Sequence, residues 1–271
     1  MLNNITLGRY FPGNSIIHKV DPRVKVILMI VMLSLVFLAS NYISFLIITL
    51  SVVGAIVMSK IRLKTYFKSM KFILFIILFT SILNIFYAKG SPLFTVGPIV
   101  ITKEGLNNSV FVAIRLIMLI LISSLLTFTT SPNDLTDALE RIMKPLGIFK
   151  IKTHELAMMM TIALRFVPTL LEETNKIIDA QKARGADMES GNIISKIKSL
   201  IPILVPLFIS SFRRAYDLAL AMECRCYNGG VGRTRMKILR IKWFDVMLSL
   251  FICIISIMVL LSNVYFQVVT I

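Results

Sequence analysis

The sequence predicts an all-α polytopic membrane protein, with about five transmembrane helices and a cytoplasmic-side domain of long amphipathic helices. Three observations carry this expectation. The 271 residues are 56% hydrophobic and only 16% charged, with a mean hydropathy of +0.83, whereas soluble chains carry about a quarter charged residues. The apolar excess lies in long runs. The net charge of +16 gathers in the segments between those runs, as it does when Lys and Arg are retained on the cytoplasmic side.

The start, Met1 to Asn14, is polar and lacks a short apolar core, so no cleavable signal is expected. The first apolar run extends from Val26 to Met58, broken by the polar pair Ser40-Asn41. As one straight helix it would be about 50 Å long, against a hydrocarbon core of about 30 Å. Both flanks are basic, with Lys19, Arg23 and Lys25 before and Lys60, Arg62, Lys64, Lys68 and Lys71 after. Two spans in a hairpin put both flanks on one side, and a single span does not. Pro22 suits the first turn of the first arm.

A third span is expected at Phe72 to Ala88, then a weakly charged outside loop, Lys89 to Asn108, with turn formers Gly90, Pro92, Gly97 and Pro98. The fourth span, Ser109 to Thr130, carries Arg115 near one end, where snorkelling to headgroups is expected. Ser131-Pro132-Asn133-Asp134 then reads as a helix start leading into an amphipathic helix to Met143.

Two longer segments follow. His154 to Arg184 is apolar through Leu171, contains Pro168, and meets a stop at Gly185. Ile193 to Arg225 has Pro202 and Pro206 in its apolar half. Short apolar stretches with prolines and Arg165 place these segments at the inner leaflet, not across it. A basic stretch, Arg233 to Lys242, precedes the last span, Phe244 to Leu261. The expected organisation is residues 1–130 with four spans, a cytoplasmic module over 131–243, and a final span with an outside tail over 244–271. The amino terminus is then cytoplasmic.

Catalytic patterns are missing. Gly229, Gly230 and Gly232 lead into Arg233-Thr234, without the spacing or lysine of a phosphate-cradling loop. His154-Glu155-Leu156-Ala157-Met158 lacks the second histidine of a zinc helix, and His18 is the one other histidine. The three cysteines, Cys224, Cys226 and Cys253, form no paired framework and read as reduced, buried thiols. No enzyme, metal or nucleic-acid site is expected. A stand-alone secondary transporter would need ionisable groups near the centre of its spans; the four spans up to Thr130 offer Arg115 alone.

The positive signal is a repeated ending. Ala180-Gln181-Lys182-Ala183-Arg184-Gly185 and Ala221-Met222-Glu223-Cys224-Arg225-Cys226 share the pattern Ala-x-x-small-Arg-small. An arginine at a helix C-terminus meets the negative end of the macrodipole and presents a five-donor fork. Small neighbours let such a tip enter a groove, and two matched tips suit two similar partner subunits.

These segments resemble the coupling helices of the transmembrane T component of energy-coupling factor transporters, which bear two Ala-Arg-Gly-like motifs. Ser15-Ile16-Ile17-His18-Lys19-Val20-Asp21-Pro22-Arg23-Val24-Lys25 resembles that family's lead-in to the first span. Thr130 to Glu140, Ala163 to Pro168 and Gly232-Arg233-Thr234-Arg235 also resemble it, so the likeness runs from about residue 8 to 243. The resemblance implies a non-catalytic subunit that couples two cytosolic ATPases, which use ATP and magnesium, to a substrate-binding membrane subunit for vitamin or metal-ion uptake. Ala183, Arg184 and Gly185 would dock one ATPase, and Cys224, Arg225 and Cys226 the other. Cys224 and Cys226 depart from the family's Ala and Gly, so the helix stop is expected to move towards Gly229. Asp21, Arg23, Arg165, Pro168, Pro202 and Pro206 are the further candidates for structural or coupling roles, with Arg165 expected to pair with Glu140 or Glu223.

Overall fold

A computed structural model describes residues 10–87, 91–96, 99–149, 152–186, 193–229 and 239–265. The chain divides into two units, Gly8–Ala138 with Ile238–Ile271, and Leu139–Lys237. The all-α membrane architecture predicted from hydropathy is what folds.

In the first unit, a short helix α1 (Ile16–Lys19) leads to α2 (Pro22–Leu38), with Asp21 as N-cap and Pro22 in the first turn. The Ser40-Asn41 break ends α2 and starts α3 (Tyr42–Ser59), as the hairpin expectation required. The break is tied to the end of the last helix, α9 (Trp243–Tyr265). Asn41 Nδ2 donates to the Ser262 carbonyl at 3.0 Å, Ser40 Oγ donates to Asn263 Oδ1 at 3.1 Å, and Asn263 Nδ2 donates to the Leu38 carbonyl at 2.7 Å. The orphan Leu38 carbonyl and the polar side chains at the turn thereby gain partners.

Helix α4 (Leu63–Tyr87) begins well before the expected Phe72. Its basic first part, Leu63–Lys71, is bent by 58° from Ile73–Ile85. The expected outside loop contains a two-stranded antiparallel ribbon, β1 (Pro92–Val96) and β2 (Ile99–Thr102); Lys89, Gly90, Gly97 and Pro98 lie outside the described residues. Helix α5 (Lys103–Thr129) starts earlier than the predicted Ser109 because Thr102 caps it, its hydroxyl accepting from Gly105 N at 3.1 Å, with Glu104 in the first turn. Helix α6 (Pro132–Met143) starts on Ser131, which accepts from Asp134 N and donates to Asp134 Oδ2.

The core of this unit joins α2, α3, α5 and α9 around Val36, Ile48, Phe128 and Val259. The opposite faces stay apolar and exposed, as at Leu46, Leu50 and Phe75, which is what a lipid-facing surface requires. By length and composition α3, α5, α7 and α9 can cross a membrane, and the bent α4 can be a fifth. Helix α2 has 17 residues, about 25 Å, at the lower end of a spanning length. Arg115 lies near the end of α2. Its Nη2 donates to the carbonyl of Ala39, the C-cap of α2, at 3.1 Å. The short α2 ends at the depth Arg115 reaches, so its last carbonyl supplies the acceptor.

The second unit is built on α7 (Thr153–Ala183) and α8 (Ile193–Cys224), preceded by a 3₁₀ turn, Lys144–Phe149. Arg214 Nη2 donates to Glu173 Oε2 at 2.7 Å, and Gln181 Nε2 donates to the Pro202 carbonyl at 3.4 Å. Moving back along α7 thus means moving forward along α8, so the helices run in opposite senses along their seam. Ile203 is buried there, while Leu204, Val205, Phe208, Ile209 and Phe212 stand exposed on the other faces of α8.

Candidate functional site

The candidate site is the pair of helix tips. Helix α7 ends with Arg184 as C-cap and Gly185 at φ +83°. Gly185 N donates to the Lys182 carbonyl at 3.0 Å, and Ala186 N to the Gln181 carbonyl at 3.0 Å. Helix α8 ends with Cys226 at φ +53°, Cys226 N donating to the Glu223 carbonyl at 2.8 Å and Tyr227 N to the Met222 carbonyl at 3.0 Å. Both are the same Schellman motif, with a left-handed residue after the cap and paired 5→2 and 6→1 bonds. Arg184 and Arg225 therefore hold the same position in the same local structure.

This corrects one expectation. The α8 stop does not move to Gly229; it sits at Cys226, as the Gly185 stop does in α7. The matched hydrogen bonds hold the left-handed turn even where the residue is not glycine, at a cost in backbone energy. A second correction concerns the cysteines: Cys224, Cys226 and Cys253 are exposed, not buried. The first two lie beyond the seam, at the projecting tip. Arg184 and Arg225 are exposed too. From the seam contacts and the helical rise, the two arginines stand roughly 35 Å apart at opposite ends of the pair. The arrangement offers two matched cationic forks with small flanks (Ala183 and Gly185; Cys224 and Cys226).

The other predicted residues separate into groups. Pro206 lacks an N–H, so the Pro202 carbonyl four residues before it has no partner within α8; Gln181 fills that vacancy. Arg165 is exposed on α7 and makes no hydrogen bond or ion pair among the described residues, and Pro168 is exposed one turn on. The expected Arg165 pairings with Glu140 or Glu223 do not form. His154 Nδ1 lies 3.0 Å from Glu140 Oε1 and holds that carboxylate, because the 3₁₀ turn returns the start of α7 to α6.

Asp21 and Arg23 meet at the base of the first unit. Arg23 Nε and Nη2 form a fork on Asp21 at 3.1 and 2.8 Å, and Nη2 also donates to the Leu239 carbonyl at 3.0 Å. The main-chain N–H of Asp21 donates to Asp245 Oδ1 at 3.0 Å, and Lys242 N donates to Asp245 Oδ2 at 2.7 Å. Asp245, 1% exposed, so joins the start of α9 to the start of α2. Sequence reasoning missed it. The available signal was its place three residues after the N-cap Lys242, the acidic position of a capping box. Lys25 was also missed as a structural group: it is buried and donates to the Thr129 carbonyl at 3.0 Å and to Thr130 Oγ1 at 3.4 Å.

Apolar helices packed around a buried core, with apolar faces exposed outside it and matched arginine endings on a helix pair, define a polytopic membrane protein. Comparison with known proteins gives the family. The CbiQ family, described as cobalt transport protein, matches residues 13–238. The chain is 53% identical over 249 residues to the energy-coupling factor transporter transmembrane protein EcfT of Ruminiclostridium cellulolyticum, covering 92% of this chain and 93% of that one. It is 48% identical over 267 residues to the EcfT of Clostridium kluyveri, covering 98% and 99%, and 50% identical over 246 residues to that of Brevibacillus brevis, covering 90% and 93%. The chain belongs to the CbiQ/EcfT family, the energy-coupling transmembrane components of energy-coupling factor transporters.

Proposed function

We propose that this subunit docks two cytosolic ATPases through Arg184 and Arg225 and passes their motion to a substrate-binding membrane subunit, driving uptake of a vitamin or metal ion. The observation that carries this reading is that both arginines cap their helices in one and the same Schellman geometry. Two equal tips suit two equal sockets, and their separation of roughly 35 Å leaves each socket to a different subunit. ATP and magnesium belong to those partners, because this chain has no phosphate-cradling loop.

The exposed apolar face of α8 supplies the platform on which the substrate-binding subunit rests, with α7 and α8 at the inner leaflet. Closure of the ATPases shifts the tips; the Gln181–Pro202 and Glu173–Arg214 contacts make the two helices move together. Basic residues on the flanks of the spans support a cytoplasmic amino terminus. The chain forms the coupling part of the importer, and selectivity resides in the partner.

Charge reversal tests the reading. Arg184→Glu or Arg225→Glu, co-expressed with the ATPases, is expected to lower ATPase co-purification at least tenfold, since reversing a buried interfacial charge costs about 2–5 kcal/mol. The double substitution is expected to abolish uptake. Uptake and co-purification at the unsubstituted level in the double variant would overturn the docking role.

A further inference from the structure

We propose that the membrane unit holds one anionic phospholipid in a groove between α2, α3, α5 and α9. The groove has a volume of about 440 Å³ and a nearly continuous apolar lining in which Lys25 is the only charged residue. It opens sideways, because the lining residues Leu50, Met247 and Phe251 are all exposed. Gly54 forms part of its wall, and a Cβ placed there would meet nothing within 4 Å. Along α9 the lining runs from Phe244 to Ile255, about 16 Å by helical rise. That is half of a hydrocarbon core of about 30 Å, the reach of one acyl chain in one leaflet.

Charge at the rim selects the headgroup. The groove begins beside α1, whose Ile16 and Ile17 line it, and beside the start of α9. Lys19 and Lys242 lie within three residues of these lining positions, are exposed, and form no ion pair among the described residues. Trp243, 80% exposed, stands between Lys242 and the lining residue Phe244; an exposed tryptophan at a span end marks headgroup level. Lys25 is not the headgroup contact. Its three donors are taken by the Thr129 carbonyl, Thr130 Oγ1 and the His18 carbonyl. Two free ammonium groups and an indole at the mouth of an apolar slot one leaflet deep match a phosphodiester headgroup with its tail. On the orientation proposed above this is the cytoplasmic leaflet, where anionic lipids attract basic residues.

Trp243 is the single tryptophan of the chain, so it reports on its own groove. The full chain is reconstituted in phosphatidylcholine vesicles containing either phosphatidylglycerol or phosphatidylcholine brominated near the headgroup end of the tail. Brominated phosphatidylglycerol is expected to quench Trp243 fluorescence at a lower mole fraction, by on the order of fivefold per lysine. Lys19→Gln with Lys242→Gln is expected to remove the preference, and Gly54→Leu, which fills the slot without backbone strain, to remove most of it. Equal quenching by the two lipids would overturn the proposal. So would a preference that survives the lysine substitutions. A preference unchanged by Gly54→Leu would show headgroup attraction at the surface only, and would also overturn it. None of these readouts depends on ATPase docking.

Discussion

Replacing Cys226 with glycine removes a side chain from the left-handed turn that stops α8. At φ +53° an L-residue carries about 1–2 kcal/mol of steric cost from its Cβ and the following carbonyl. Glycine avoids that cost but loses roughly 0.5–1 kcal/mol more backbone entropy on folding. The net expectation is a gain of about 0.5–1 kcal/mol in the stability of the turn, or a two- to fivefold shift in its opening equilibrium. The bonds that report it are Cys226 N to the Glu223 carbonyl and Tyr227 N to the Met222 carbonyl. In Cys226→Gly their amides should exchange hydrogen two- to fivefold more slowly, measured by hydrogen–deuterium exchange with peptide resolution in detergent or nanodiscs. The mirror experiment is Gly185→Ala. A Cβ at Gly185 would meet nothing within 4 Å, so the effect there comes from φ +83° alone, and Ala186 N should exchange several-fold faster. Unchanged or faster exchange at 226 and 227 in Cys226→Gly, alongside unchanged exchange in Gly185→Ala, would refute the claim that left-handed strain separates the two tips.

Three further outcomes are expected. Asp245→Ala leaves the buried Asp21 N–H without its acceptor, a loss of about 2 kcal/mol, read as a fall of about 5 °C in the unfolding midpoint of the detergent-solubilised chain. Asp245→Asn, which keeps one acceptor oxygen, should lose less. Gln181→Leu orphans the Pro202 carbonyl and should weaken the α7–α8 pair by about 1 kcal/mol. Pro206→Ala restores an N–H within α8, so the double variant should lose less than the sum of the singles in a double-mutant cycle. His18 should make stability depend on pH. Its Nε2–H donates to the Phe11 carbonyl at 2.9 Å, and Ser15 Oγ donates to its Nδ1 at 2.6 Å. Burial holds its pKa below 6.5, opposed by the Phe11 bond and helped by Lys25. The unfolded chain then binds more protons in this window, so the contribution is complete above pH 6.5 and is lost as pH falls below it. A midpoint that drops between pH 7 and pH 5 in the parent, and drops less in His18→Gln, is the expected result.

Most of the helices and several of their ends were legible in the residues because those features are set locally, whereas the early starts of α4 and α5 were not. Apolar runs too long for one span, the Ser40-Asn41 break, Asp21-Pro22 before the first helix and Gly185 after α7 act through solvation and backbone sterics within a few residues. The matched Ala-x-x-small-Arg-small endings belong to the same class, and so the candidate site was visible before any fold was known. Less local features were not legible. The stop at Cys226 depends on two backbone bonds outweighing the preference for glycine, and composition does not weigh them. Arg115 capping α2, Asp245 bridging α9 to α2, Glu140 bound to His154 instead of Arg165, and Gln181 filling the gap left by Pro206 each join residues distant in sequence. A polar group in an apolar setting must find a partner. That requirement is written in the residue, but which partner lies within 3 Å is a matter of how the helices pack.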